Sequence, residues 1–331
     1  MDTPEDTIAG SALYLRIMFM GMVPNMVYNV GSAILRAMGD SKRPLYFLIV
    51  ACLSNVVLDL VFVLVFKMGI AGVAIASILA QAISAVMVVM SLSAESMEYR
   101  FRFRQMRFEG DILSRTIRIG LPAGFQSIMY SLSNMLIQAS VNRFGTDTVA
   151  SWVVLGKVDG INWMILGALG IASMTFVGQN YGAGRLDRIQ KSLKLSLLIG
   201  VCISIVFGGA LLLFGWPLFG LFTSDDTVLA MSMQLLWYFA PFYWLFVPIE
   251  IISGALRGMG DTLIPTIITA TGICVFRVAW IYTVVPLHNS MFTVSLSYPI
   301  SWVLTAIAFA IYYMIARKKL IANAPKPRTA E

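Results

Sequence analysis

Leu35-Arg36-Ala37-Met38-Gly39-Asp40, followed by Pro44, returns as Leu256-Arg257-Gly258-Met259-Gly260-Asp261, followed by Pro265. The offset is 257 − 36 = 221 residues. Each copy ends one long apolar stretch and starts the next. Each preceding stretch also carries an internal proline, Pro24 or Pro248, although these two lie three residues out of register. A repeat matched both in residues and in place along the order of helices points to two related halves. This is the organisation of secondary transporters, whose halves rock about a central site.

The stretches around the repeat are membrane-spanning in character. Hydrophobic residues make up 58% of the 331, and charged residues only 12%. A soluble domain carries roughly 25% charged residues, so this chain has too little polar surface to face water throughout. Windows of about 20 apolar residues, long enough to cross the hydrocarbon, fall at Ala9–Leu35, Leu45–Phe66, Gly69–Leu92, Leu113–Val141, Val149–Val177, Leu193–Phe222, Val228–Leu256, Ile264–Val285 and Met291–Ala316. Alternation of period two is absent, which argues against an outer-membrane barrel. The expected fold is an all-α integral membrane bundle of nine spans.

The net charge of +7, from 24 Lys and Arg against 17 Asp and Glu, reports orientation rather than nucleic-acid binding. Arg36, Lys42 and Arg43 fall in the first turn, and Arg100, Arg102, Arg104, Arg107, Arg115 and Arg118 follow the third span. Arg185, Arg188, Lys191 and Lys194 follow the fifth, Arg257 the seventh, and Arg317, Lys318, Lys319, Lys326 and Arg328 lie in the tail. The opposite loops hold only Lys67 and Arg143, in the company of acidic residues such as Asp225 and Asp226. Cytoplasmic loops collect Lys and Arg, so the C-terminus is expected in the cytoplasm, the N-terminus outside, and the chain in the cell membrane.

Residues 1–8 are acidic and form no signal peptide. The second copy of the repeat runs from about Leu113 to Ala316 with six spans, whereas the first keeps three. The expectation is therefore two six-helix repeats, the first truncated to three helices. Residues 1–93 would form the end of the first lobe, 94–112 a cytoplasmic linker, 113–316 the second lobe and 317–331 a cytoplasmic tail.

An ionisable side chain in the hydrocarbon costs about 2.5–3.5 kcal/mol on insertion scales, so each one needs a reason. Arg16, Asp59, Lys157, Asp159, Glu250 and Arg277 are of this kind. Asp59 lies four residues after Asn55, which puts both oxygens on one helix face, and Ser77 early in the next span can add a hydroxyl. Such oxygens suit Na⁺, and a carboxylate in an apolar site also carries H⁺. Glu250 follows Pro248 by two residues, in a stretch where proline frees a backbone carbonyl. That marks a cavity-facing segment, the alternative being an ion pair with Arg277 in the following span. Lys157 and Asp159, two residues apart, point in different directions and are not expected to pair. Gln126, Asn134, Gln138 and Asn162 are amides of the kind that bond between membrane helices.

Other patterns carry less. Gly178-Gln179-Asn180-Tyr181-Gly182-Ala183-Gly184-Arg185 lacks the Lys-Ser/Thr and the preceding strand of a phosphate loop and reads as a tight turn. Tyr99-Arg100-Phe101-Arg102-Phe103-Arg104 interleaves aromatic and basic residues, but beside a span it reads as an interfacial segment on anionic lipid. Cys52, Cys202 and Cys274 all lie within spans, with no disulfide framework or zinc spacing. The single histidine, His288, falls in a loop, and no nucleophile–base pair emerges, so no enzyme is expected.

With the repeated Leu-Arg-x-Met-Gly-Asp turns, Asn55 and Asp59 in view, the chain resembles the multidrug and toxic compound extrusion (MATE) transporters. Gly120-Leu121-Pro122, Val177-Gly178-Gln179-Asn180-Tyr181-Gly182-Ala183-Gly184 and Gly69-Ile70-Ala71-Gly72-Val73-Ala74-Ile75-Ala76-Ser77 carry the resemblance further. It extends from the family's fourth helix to its twelfth. It implies a monomeric antiporter that exports small cationic or amphipathic molecules against inward Na⁺ or H⁺, with no other cofactor. It also implies a cation site at Asn55, Asp59 and Ser77 with Asn29 nearby, and an acidic second-lobe position near Glu250; Tyr130 and Gln126 stand where some members carry another acidic residue, and these three with Arg277 are the candidate second-lobe cavity or coupling residues. Two other readings are a flippase for lipid-linked sugar precursors, which would want several cavity arginines, and an inactive fragment of a transporter.

Overall fold

The computed structural model describes residues 5–94 and 101–322. The interfacial reading of Tyr99 and Arg100, and the tail beyond residue 322, lie outside them. The chain divides into two units, Met1–Phe108 and Glu109–Glu331, and the division falls inside the 94–112 stretch read as the linker.

The first unit is made of α1 (Glu5–Met20), α2 (Met22–Ala37), α3 (Lys42–Leu60, continuing into a π-helical turn over Val61–Val65) and α4 (Gly69–Ser93). α1 and α2 form one rod bent by 45° at Gly21, whose N–H turns back to the Met18 carbonyl at 3.0 Å. Three glycines on this rod let α4 lie close. A Cβ on Gly10 would stand 2.8 Å from Ile70, one on Gly21 2.7 Å from Ile78, and one on Gly31 2.9 Å from Val88. Leu35, Phe47, Val88 and Leu92 form the small core at one end of the unit.

The second unit has six helical rods. These are α5 (Gly110–Val141), α6 (Thr146–Gly182) and α7 (Leu186–Gly220); α8 (Asp226–Phe239) joined by a 3-10 stretch, Ala240–Leu245, to α9 (Val247–Gly258); α10 (Leu263–Thr269) joined by a π-helical stretch, Ala270–Val275, to α11 (Phe276–Thr283); and α12 (Met291–Ala322). The core runs from Leu166 and Val177 through Tyr243, Ile251 and Leu256 to Trp302 and Phe309. Among the described residues seven helices are long and apolar enough to cross a membrane, or eight if the bent α1–α2 pair is one span.

Nine spans were expected, and α5 is the one that falls short. Its Gln126, Tyr130, Asn134 and Gln138 recur at four-residue spacing, so a polar stripe takes the place of an all-round apolar surface. The prolines also act differently from expectation. Pro24 and Pro248 lie in the first turns of α2 and α9, where a helix has no use for the missing N–H. The breaks precede them, at Gly21 and in the 3-10 stretch. Likewise the Gly178–Gly182 run is still helical, and the turn begins only at Ala183, with Gly184 at φ +69°.

The repeat holds in three dimensions within each unit. Gly39 and Gly260 have φ of +90° and +89°. Gly39 N–H donates to Arg36 O at 2.9 Å and Asp40 N–H to Leu35 O at 2.9 Å; Gly260 to Arg257 O and Asp261 to Leu256 O both measure 3.0 Å. Both are Schellman caps, which need a left-handed residue at that glycine. Adding 221 to the start of α1, the end of α2 and the start of α3 gives the start of α8, the end of α9 and the start of α10.

α6 and α9 meet backbone to backbone. A Cβ on Gly254 would collide with the Gly170 carbonyl oxygen, and one on Gly258 would stand 2.5 Å from the Met174 carbonyl oxygen and 3.0 Å from the Gly178 nitrogen. Ser173 Oγ donates to the Ile251 carbonyl across the seam at 3.1 Å. Small residues spaced by four are how membrane helices approach closely. Gly254→Ala is expected to destabilise the protein by about 1–3 kcal/mol, the usual cost of overpacking. Gly209→Ala, whose Cβ would enter open space, is expected to be neutral or slightly stabilising. Thermal unfolding of the purified protein in detergent checks this; equal midpoints for the two variants would refute the seam's importance.

Candidate functional site

The second unit encloses a cavity of about 450 Å³. α5 contributes Tyr130, Asn134, Ile137 and Gln138, the face bearing its polar stripe. α6 contributes Trp152, Leu155, Gly156, Asp159 and Trp163, again at spacings of three and four. Phe239 and Phe246 stand on either side of the break between α8 and α9; Glu250, Arg277 and Tyr298 come from α9, α11 and α12. Five of the unit's six rods therefore meet here, and the two interrupted ones bring their irregular turns close to it. Irregular backbone at membrane depth is tolerated where it is buried in protein or lines a cavity.

The wall is aromatic. Trp163 packs edge-on against Phe246 at 4.8 Å between ring centroids and against Trp302 at 5.7 Å. Phe239 meets Tyr298 at 5.1 Å, and Trp152 meets Phe239 at 5.8 Å and Tyr298 at 5.9 Å. Tilted and T-shaped pairs of this kind hold one another rigidly and present π-faces that attract cations.

Two carboxylates line the same space. Asp159 accepts from the Tyr243 hydroxyl through one oxygen and from Trp163 Nε1 at 3.2 Å through the other, so its orientation is fixed from two helices. Glu250 lies over Gly170, where a Cβ would stand 2.8 Å from Glu250 Oε2. The α6–α9 glycine seam is thus what brings this carboxylate against α6.

Arg277 does not pair with Glu250. It is only 4% exposed, its Nε donates to Ser301 Oγ at 3.0 Å, and its guanidinium lies 3.9 Å from the centroid of the Tyr298 ring. The π-helical stretch just before it adds an extra residue to the turn and shifts the register of the following helix. Gln126 is not part of the cavity lining either. Its Oε1 accepts from Arg257 at 2.9 Å, near the repeated turn. Lys157 is exposed while Asp159 faces Tyr243 and Trp163, so those two do not pair, as expected from their spacing.

Of the expected cavity residues, Glu250, Tyr130 and Arg277 are brought together and Gln126 is not. Asp159 was visible only as a buried charge. Its clearest signal was the aromatic residue four places on, Trp163, which shares its helix face.

In the first unit, Asn55 Nδ2 and Asp59 Oδ1 are buried and have no hydrogen-bond partner among the described residues. The π-helical turn of α3 starts two residues after Asp59. Asn29 bonds within its own helix, donating to the Asn25 side-chain oxygen at 2.8 Å. Ser77 is half-buried on α4. The offset of 221 maps Asn29 onto Glu250 and Ser77 onto Tyr298. It also sets Asn55 and Asp59 on the helix face equivalent to that of Phe276 and Trp280, which flank Arg277.

The chain was compared with known proteins. The family described as MatE matches residues 1–61 and 122–283. A probable multidrug resistance protein, YoeA of Bacillus subtilis (strain 168), is 29% identical over 96% of this chain and 71% of its own length. The multidrug export protein MepA of Staphylococcus aureus (strain NCTC 8325 / PS 47) is 21% identical over 70% of this chain and 51% of its own. The crystal structure of MATE in complex with MaD5 aligns with a TM-score of 0.88 at 19% identity, over 98% of this chain and 72% of that one. A MOP superfamily transporter from Pyrococcus furiosus Vc1 (DSM3638) gives a TM-score of 0.86 at 20% identity, over 93% and 70%. At these identities the solved structures establish a common fold. Matched by the family over most of its length and carrying, among the described residues, seven or eight helices long and apolar enough to cross a membrane, this multi-pass membrane protein belongs to the MatE family.

Proposed function

We propose that this chain works as a cation-coupled antiporter that exports cationic or amphipathic small molecules by alternating access. The observation that carries the reading is the cavity, where Asp159 and Glu250 share an aromatic wall at membrane depth. A carboxylate among π-faces is what an organic cation needs. It loses water on entering the membrane and regains charge and ring contacts in the cavity. Relatives named as multidrug resistance or export proteins support export as the direction of transport.

Coupling is assigned to the first unit. Asp59 Oδ1 and Asn55 Nδ2 are buried polar atoms without partners among the described residues, and a buried group left unsatisfied costs about 1–3 kcal/mol. A Na⁺ ion would supply that oxygen with a partner, and a proton on the Asp59 carboxyl would instead remove the buried charge. Ser77 and Asn29 would add oxygens from the neighbouring helices. Binding and release of the ion can then bias one arrangement of the helices over another, since a ligand shifts an equilibrium only through differential affinity. The two related halves are suited to the rocking movement that alternating access requires. A flippase for lipid-linked sugar phosphates fits less well, because among the described residues Arg277 is the one arginine lining the cavity and two carboxylates line it as well.

Export is measured as ethidium loss from cells expressing the protein. Asp59→Asn is expected to reduce ion-driven export at least tenfold while membrane abundance stays unchanged; undiminished export would sink the coupling assignment. Removing Na⁺ in one arm and collapsing the proton gradient in another identifies the ion. Asp159→Asn and Glu250→Gln are each expected to raise the ethidium concentration for half-maximal export about tenfold, in line with the loss of one charge-assisted contact. Unchanged values in both would show that the cation binds elsewhere.

A further inference from the structure

Arg277 is a buried guanidinium without an acidic partner among the described residues. It is 4% exposed and lines the cavity together with Asp159 and Glu250, yet forms an ion pair with neither: Asp159 is engaged by Tyr243 and Trp163, and Glu250 lies over Gly170. What holds Arg277 is the Ser301 hydroxyl on Nε at 3.0 Å and the ring faces of Tyr298 and Trp302, 3.9 and 6.0 Å from Cζ. Ser301 in turn donates to the Tyr298 carbonyl at 2.7 Å, which fixes it as an acceptor for the arginine. These contacts orient the guanidinium plane but do not neutralise its charge.

A buried arginine held this way keeps its two terminal nitrogens available for a planar anion. Guanidinium and carboxylate or phosphate match as a two-pronged pair, a geometry that lysine does not offer. Removing a charge from water without a counter-charge is strongly unfavourable, so a ligand that brings the anion is favoured over one that does not. The ring of Tyr298 beneath the guanidinium also belongs to the aromatic wall around Trp152 and Phe239. An anion on Arg277 would therefore sit against the same rings as the body of a bound molecule.

We propose that Arg277 is an anion-binding subsite of the transport cavity and that the preferred cargo is zwitterionic, with a carboxylate or phosphate on Arg277 and an ammonium group on the Asp159/Glu250 side. This rests on reading the cavity as the transport site and narrows the cargo from organic cations to amphiphiles carrying both charges. The alternative is that Glu250 turns to Arg277 in another state of the protein and the arginine serves only as its counter-ion.

The test uses two probes that differ by one carboxylate, dansylcadaverine and Nε-dansyl-lysine, with the methyl ester of Nε-dansyl-lysine as a third. Binding to the purified full chain in detergent is read from energy transfer between its tryptophans and the dansyl group. Nε-dansyl-lysine is expected to bind about tenfold or more tighter than either of the others, the gain of a charge-assisted pair. In Arg277→Gln that preference should disappear. Equal or weaker binding of Nε-dansyl-lysine by the unsubstituted protein, which requires no variant to fold, would overturn the proposal, as would a preference that persists in Arg277→Gln. Ion-driven flux is measured separately in vesicles reconstituted with the same protein. Carboxylate preference without such flux would leave Arg277's role standing and remove the antiporter reading. Ion-driven export of dansylcadaverine with no carboxylate preference would do the opposite.

Discussion

The backbone contact between α6 and α9 is the constraint on which the second unit depends. Lipid tails are as apolar as leucine, so membrane helices gain little by hiding apolar side chains from them and associate through close packing instead. Gly170, Gly178, Gly254 and Gly258 remove the side chains that would hold the two helices apart, and Ser173 ties the seam with a hydrogen bond. Everything placed on these helices inherits that closeness. Glu250, one turn before Gly254, is set against Gly170, and Asp159 and Trp163 extend the same helix towards Tyr243 and Phe246.

The cost of charge in a membrane explains the rest of the cavity. Each buried ionisable group there is held by something other than a simple ion pair. Asp159 has a phenol and an indole, Arg277 a hydroxyl and two rings, and Glu250 the open side of a glycine. These charges therefore do not cancel one another by direct pairing. The first unit follows another course: Asn55 and Asp59 keep buried atoms without partners among the described residues. A charge or polar group left in that condition marks a place where something else binds or where the helices rearrange.

The repeat gives both units the same punctuation. A bent or broken rod, a Schellman cap on a glycine near +90°, and a rod with a π-helical stretch occur in the same order in each, although the stretch ends α3 in the first unit and lies between α10 and α11 in the second. The chemistry placed on that common frame differs, since the offset puts Glu250 where the first unit has Asn29 and Tyr298 where it has Ser77. An architecture used twice has thus been given two sets of polar groups.

Much of the fold was legible in the residues. The apolar stretches set the helices, since backbone polar groups in lipid are satisfied only within a helix or a closed barrel. The Leu-Arg-x-Met-Gly-Asp turns announced the repeat because a helix that ends on a left-handed residue favours glycine there. Asp59, Glu250 and Arg277 stood out because charge inside an apolar run is expensive. What the residues did not show was who meets whom. Glu250 and Arg277 looked like possible partners from their adjacent spans, Gln126 looked like a lining residue, and Pro24 and Pro248 looked internal to their helices. Contacts between helices separated by many residues, such as Tyr243 with Asp159 or Gln126 with Arg257, depend on crossing angles and on where a π turn shifts the register. Helical periodicity determines which face a side chain shares, and only the packing of one helix on another decides what that face meets.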